Sequence, residues 1–192
     1  MRDRAGTNTE SLRLSRWIVR ATEADLWIVR RVSTASRSRV VRACVLFINR
    51  LGDGWVYILV ALAVIAHVGS AAVRVIAAAS VAVAVSHLIY AVVKRRTKRL
   101  RPFERDATIE PVARVLDRYS FPSGHCMTIA AVAVPIVVAI PARGPAAVAG
   151  FVAVALCRLL AGHHYPSDIA SGALLGLLVS LPVARLMIPT AT

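Results

Sequence analysis

Three short strings hold the side chains of this sequence that could act on an anionic substrate. The first is Lys94-Arg95-Arg96-Thr97-Lys98-Arg99-Leu100-Arg101-Pro102, which closes an apolar stretch. Alone, such a run anchors a helix end among anionic lipid headgroups. The second, Phe121-Pro122-Ser123-Gly124-His125, stands directly before another apolar stretch. Pro, Ser and Gly suit a helix start, whose first N–H groups have no partner within the helix. Those groups and the helix dipole attract an anion, and His125 beside them can give or take a proton. Read alone, the string is also an ordinary capped helix start. The third runs from Cys157-Arg158 through His163-His164-Tyr165-Pro166-Ser167-Asp168. Asp168 could hold one ring nitrogen of His164 and leave the other free to attack. Its plainer reading is a carboxylate placed at a helix N-terminus. The neighbouring His163 competes for the nucleophile's role, although spacing favours His164.

The elements that must position these strings are apolar helices. Hydrophobic residues make up 57% of the 192-residue chain, too many for an ordinary soluble domain of this size. The formal net charge is nevertheless +14, which suits a membrane protein with basic faces at the lipid surface. A nucleic-acid binder would need the charge but not the long apolar runs. A membrane span takes about 20 mostly apolar residues. Five stretches approach that length: Trp55–Ala72, Val75–Val93, Cys126–Ala142, Ala146–Leu160 and Ile169–Ile188. Gly172 and Gly176 form a small-xxx-small pair in the last, which lets helices approach closely. The expected architecture is an all-α membrane bundle of five spans, or six if the N-terminal segment hides another.

Residues 1–50 differ from the remainder, 51–190, and are set apart as a segment of their own. From Leu12 to Val32 and from Arg37 to Leu51, arginines recur opposite apolar residues at helical spacing. Arginine is costly at a bilayer centre, so two helices lying in the interface are expected. The start, Met1-Arg2-Asp3-Arg4, has no apolar stretch before a cleavage site, and no removable signal peptide is expected. Glu110–Arg118 is expected to form a short surface helix with Pro111 in its first turn. The three cysteines, Cys44, Cys126 and Cys157, have neither disulfide-framework nor zinc spacing.

Five alternating spans place the end of the second, the start of the third, the end of the fourth and the start of the fifth on one face. Lys94, Arg101, Ser123 to His125 and Arg158 to Asp168 then gather together. At that point the residues match a known pattern: Lys94, six residues, Arg101-Pro102; Pro122-Ser123-Gly124-His125; Arg158, five residues, His164, three residues, Asp168. The chain resembles the type 2 phosphatidic acid phosphatase family from about Asn49 to Ile188, including the Leu51-Gly52-Asp53-Gly54 lead-in to the first span. One departure is Cys157, which stands where the family usually has Ser and is the weaker hydrogen-bond donor.

The resemblance implies a metal-independent hydrolase without cofactors that removes a phosphate from a lipid through a phosphohistidine. His164 would be the nucleophile, Asp168 its orienting partner and His125 the acid and then base. Lys94, Arg101, Ser123, Gly124 and Arg158 would hold the phosphate. Arg95, Arg96, Lys98 and Arg99 are expected to face headgroups, and His67, Arg74, His87 and Tyr90 to serve packing or the interface. Phosphatidic acid, phosphatidylglycerol phosphate and a polyprenyl diphosphate such as undecaprenyl diphosphate fit equally, and no oligomeric state is implied. A lipid phosphotransferase and a non-catalytic basic protein that binds anionic lipid are the rival readings. The implied location is a bacterial inner membrane. All of the 24 Lys and Arg residues except Arg74, Arg143 and Arg185 fall on the face of the motifs, and positive charge near span ends favours the cytoplasm.

Overall fold

The structure, a computed structural model, describes residues 21–189 except 53 and 116. The described residues form helices and no strands. In chain order these are α1 (described over 21–33), α2 (Arg39–Gly52), α3 (Trp55–Val68), α4 (Ala72–Thr97), the short α5 (Pro102–Arg105), α6 (Gly124–Ala139), α7 (Gly144–Leu160) and α8 (Pro166–Met187). The expected apolar stretches are α3, α4, α6, α7 and α8. The start of the chain and the part of the first amphipathic helix before residue 21 lie outside the described residues.

Local chemistry accounts for the breaks. Gly69, at φ 57° and ψ −128°, ends α3 in backbone that L-residues rarely adopt, and the chain reverses into α4. Val64 of α3 consequently packs with Ala72, Val75 and Ala78 of α4. α4 stops at Lys98, which is left-handed, shortly before Pro102. The end of α7 is a Schellman turn: Gly162 N–H bonds Leu159 O and His163 N–H bonds Arg158 O, with Gly162 at φ 69°. That turn delivers the His pair directly beneath Arg158. Pro166 then opens α8 as its first residue.

The core is α4, α6 and α8 packed together, with α3 against α4 and α7 against α6. Gly172 and Gly176 explain the closeness of α6 and α8. A Cβ on Gly172 would lie 2.4 Å from Ser123 O, and one on Gly176 would lie 2.5 Å from Met127 O. The small pair therefore sets α8 against the start of α6, where the second motif lies.

Outside this core the surface is apolar. Trp55, Leu59, Leu88, Val148, Leu178 and Leu186 are exposed, as lipid-facing residues are. The helical stretches Trp55–Arg105, Pro141–Leu160 and Pro166–Met187 are long and apolar enough to cross a membrane, while α6 is shorter. An exposed apolar surface of this extent has no place in water; the chain is an integral membrane protein.

The amphipathic helices turn much of their apolar side to the bundle. Leu26 and Val29 of α1 pack on Ile109 and Tyr165, and Val45 of α2 packs on Val112, Cys157 and Ala161. Trp27, Val40 and Phe47 remain exposed. The expected surface helix over Glu110–Arg118 does not form among its described residues. Its polar groups bond outward instead: Val112 N–H to Ala161 O, Ala113 O to His163 and Asp117 to the ends of α4 and α5.

Gly172→Ala should lower stability by about 1–3 kcal/mol, the usual cost of overpacking. Gly150→Ala, whose added Cβ meets only Ile129 Cδ1 at 3.8 Å, should change it little. Thermal unfolding in detergent checks the pair; equal midpoints would contradict the close approach.

Candidate active site

One cavity of about 390 Å³ lies where the helix ends meet, and Arg101, Gly124, His125, Arg158, His163 and His164 line it. Lys94 reaches it through Asp117, to which its Nζ donates at 2.7 Å. Ser123 and Asp168 are fully buried behind it, joined by a bond from Ser123 N–H to Asp168 O of 3.0 Å. All eight residues singled out by spacing thus meet at one end of the bundle. They come from the ends of α4 and α7 and the starts of α5, α6 and α8.

The two histidines of the third motif have different surroundings. His163 sets Nε2 2.9 Å from Ala113 O and Nδ1 3.4 Å from Arg158 Nη1. A carbonyl can only accept, so Nε2 carries the hydrogen and Nδ1 accepts from the guanidinium. Both nitrogens of His163 are occupied. His164 turns Nδ1 toward Asp168 Oδ2 at 3.5 Å, longer than a good hydrogen bond. Burial pushes both imidazoles down, His163 to about 3 and His164 to about 4. For His163 the Ala113 contact opposes that shift, and for His164 the Asp168 contact does. Both are neutral near pH 7.

Asp168 has no solvent exposure and three neighbours for its charge. Tyr165 N–H donates to Oδ2 at 2.9 Å, His164 lies beside the same oxygen, and Arg99 Nη1 donates to Oδ1 at 2.6 Å. Arg99 is therefore not a headgroup residue, as its place in the basic run suggested. It also bonds Ser167 Oγ and Asp25 of α1, and its guanidinium lies 3.9 Å from the Tyr165 ring centroid. Asp25 in turn accepts from Ser167. Nothing in residue spacing foretells this, since 69 and 74 residues separate Arg99 from Asp168 and Asp25. Arg95, Arg96 and Lys98 are exposed.

Tyr90 and His87 also move from packing residues to the cavity wall. Tyr90 OH donates to Asp117 Oδ2 at 2.6 Å and accepts from Lys94 Nζ at 2.5 Å. Their positions one and two turns before Lys94 on α4 are the only sequence signal of this role. Cys157 points away from the cavity: its Sγ lies 3.4 Å from Val45 O of α2. The exchange of Ser for Cys thus falls on the α2–α7 contact and not on the cavity. Gly52, in the lead-in to α3, lets α2 end against His125, because a Cβ there would lie 3.2 Å from the ring.

Fold and cavity together define a helical membrane protein with a cationic, histidine-bearing pocket at one end of its bundle. The chain belongs to the PAP2 superfamily, whose sequence profile matches residues 75–189. Among solved structures it is similar to the crystal structure of the first transmembrane PAP2 type phosphatidylglycerolphosphate phosphatase from Bacillus subtilis. The TM-score is 0.66 at 22% identity, over 86% of this chain and 85% of that one. No curated protein matches the chain in sequence.

Two measurements test the site's electrostatics. Arg99→Ala leaves the buried Asp168 carboxylate without its cation and should cost roughly 2–4 kcal/mol, Arg99→Lys less; an unchanged unfolding midpoint for Arg99→Ala would contradict the pairing. The histidines titrate near 6.5 in the unfolded chain and about 3 and 4 in the fold. The unfolded state therefore binds more protons between those values, and stability falls as pH drops from about 6.5 toward 4. The midpoint in phosphate-free detergent should be lower at pH 5 than at pH 7.5, with a shallower slope in His163→Gln. A wild-type midpoint that stays flat over that range would refute the buried neutral pair.

Proposed function

We propose that the protein hydrolyses a phosphate monoester or diphosphate of a membrane lipid through a phosphohistidine on His164. The observation that carries this reading is the meeting of Arg101, Arg158, Gly124, His125 and His164 around one cavity. Superfamily membership supports it. The similar Bacillus subtilis structure bears the name of a lipid phosphate phosphatase.

With Nδ1 of His164 facing Asp168, Nε2 is the nitrogen that attacks phosphorus. The bond from phosphorus to the lipid oxygen breaks as His125 protonates that oxygen. His125 then takes a proton from water, whose oxygen attacks phosphorus and breaks the P–N bond. Inorganic phosphate leaves and His164 is neutral again. Asp168 orients the imidazole and stabilises its cationic form. Lys94, Arg101, Arg158, buried Ser123 and the Gly124 N–H at the start of α6 hold the phosphate oxygens. Phosphoryl transfer depends mainly on positioning and charge stabilisation, and three cations supply here what Mg²⁺ supplies elsewhere.

A second, apolar cavity favours a lipid over a soluble ester. It has about 460 Å³, shares Gly52, Tyr57 and His125 with the first, and extends between α3, α6 and α7 to Ile140 and Arg143. From His125 to Ile140 the helix rises about 22 Å, room for a long chain beside the reacting phosphate.

In this reading α3, α4, α6, α7 and α8 are five spans that alternate in direction, in the inner membrane of a bacterium, and the pocket faces the cytoplasm. Arg74, Arg143 and Arg185 lie at the far ends of their helices, while the basic run of α4, the loop before α6 and the arginines of α2 lie at the pocket end. The described helices of the N-terminal segment, α1 and α2, are interfacial and cover that end.

His164→Ala should abolish phosphate release from phosphatidic acid, phosphatidylglycerol phosphate and undecaprenyl diphosphate alike, and acid-quenched wild type should carry substrate-derived phosphate on histidine. Full activity in folded His164→Ala would sink the assignment. Excess EDTA should leave the rate within about twofold; collapse with rescue by Mg²⁺ would disprove metal independence. For sidedness, in a Cys44→Ser background, Arg118→Cys should resist an impermeant maleimide in intact cells while Ser70→Cys labels. The opposite pattern would place the pocket outside.

A further inference from the structure

Two of the three cations of the pocket, Lys94 and Arg101, are already occupied by the protein's own carboxylate. Asp117 Oδ2 lies 2.7 Å from Lys94 Nζ and accepts from Tyr90 OH at 2.6 Å. Its Oδ1 accepts from Arg101 Nη2, and its backbone oxygen accepts from Arg101 Nε at 3.2 Å. The cations are deeply buried, with side-chain exposures of 8% for Lys94 and 4% for Arg101, whereas the Asp117 side chain is 41% exposed. Asp117 lines the same cavity as His125, Arg158 and His164. It comes from the irregular segment before α6.

Two buried cations so close together need a counter-charge when no ligand is present. A ligand phosphate aimed at Lys94 and Arg101 must take the place that this carboxylate holds. We propose that Asp117 is the resident counter-anion of the phosphate site, exchanged for the substrate's phosphate, and that it thereby sets a charge threshold for what may bind. The inference rests on the phosphate-binding reading above and adds a selection rule to it. A terminal phosphate can bring two negative charges and gains against one carboxylate. A phosphodiester brings one, merely replaces the carboxylate and loses the tether that keeps Asp117 local. The threshold thus rejects phosphodiester headgroups, which surround any membrane enzyme in large excess. Burial would raise the Asp117 carboxyl, but Lys94, Tyr90 and Arg101 overcome it and hold it down at about 2. It is an anion throughout the neutral range.

The test uses the purified full chain in detergent with inorganic phosphate and diethyl phosphate, a monoanionic diester, as probes. Asp117→Asn keeps the shape and removes the charge. It should bind inorganic phosphate about tenfold more tightly by titration calorimetry, and should bind diethyl phosphate where wild type does not. Its unfolding midpoint should fall without phosphate and return toward the wild-type value with it. Tyr90→Phe, which removes one bond to the carboxylate, should shift phosphate affinity in the same direction by about two- to threefold, and serves if Asp117→Asn does not fold. Wild type that binds phosphate, with equal or weaker binding in the variants, would overturn the threshold and leave the proposed function standing. Folded wild type and variants that all fail to bind phosphate would overturn both.

Discussion

A carboxylate buried without solvent must find its whole compensation in the protein, and Asp168 imposes that constraint on this fold. The Tyr165 N–H, the Arg99 guanidinium and the His164 ring surround it, and its own backbone oxygen accepts from Ser123 N–H. Four pieces of chain are tied at this point: the end of α4, the start of α6, the turn after α7 and the start of α8. α1 joins as a fifth through Asp25, which is bonded to both Arg99 and Ser167. Around this centre the apolar helices need only bring their ends into register, which the glycines of α8 and the Gly162 turn accomplish.

The second organising requirement is the inverse one, cations that must be held close together before any ligand arrives. Lys94, Arg101 and Arg158 are all buried. Arg101 is fixed by the carbonyls of His163 and Asp117 and by the Asp117 carboxylate. Arg158 stands over His163 Nδ1. Preorganisation of this kind is what an electrostatic catalyst needs, because donors already in place need not reorganise as charge develops.

What the sequence revealed depended on distance along the chain. The strings Lys94 to Pro102, Pro122 to His125 and Arg158 to Asp168 could be read because each is one helix end, with spacing set by the backbone. Alternation of the apolar stretches then brought the three together. Arg99, Tyr90, Asp117 and Asp25 could not be read in this way. Arg99 sits in a run of cations where composition gives every member the same meaning, and only the fold distinguishes it from Arg95, Arg96 and Lys98. Asp117 lies in a segment with helical propensity, and its bonds to Lys94 and Arg101 override that propensity. The amphipathic pattern of α1 and α2 announced helices with an apolar face, but it could not say how much of that face would meet lipid and how much the bundle.

The two cavities share a wall yet differ in everything else: one is cationic and set among the helix ends, the other apolar and running along the helices. In the proposed reaction this separates the routes of the products. Phosphate departs into water, while the dephosphorylated lipid retreats sideways into the bilayer leaflet. The concentration that matters to such a catalyst is the mole fraction of substrate in the membrane plane, not its amount per volume. Its turnover would therefore respond to surface dilution by inert lipid.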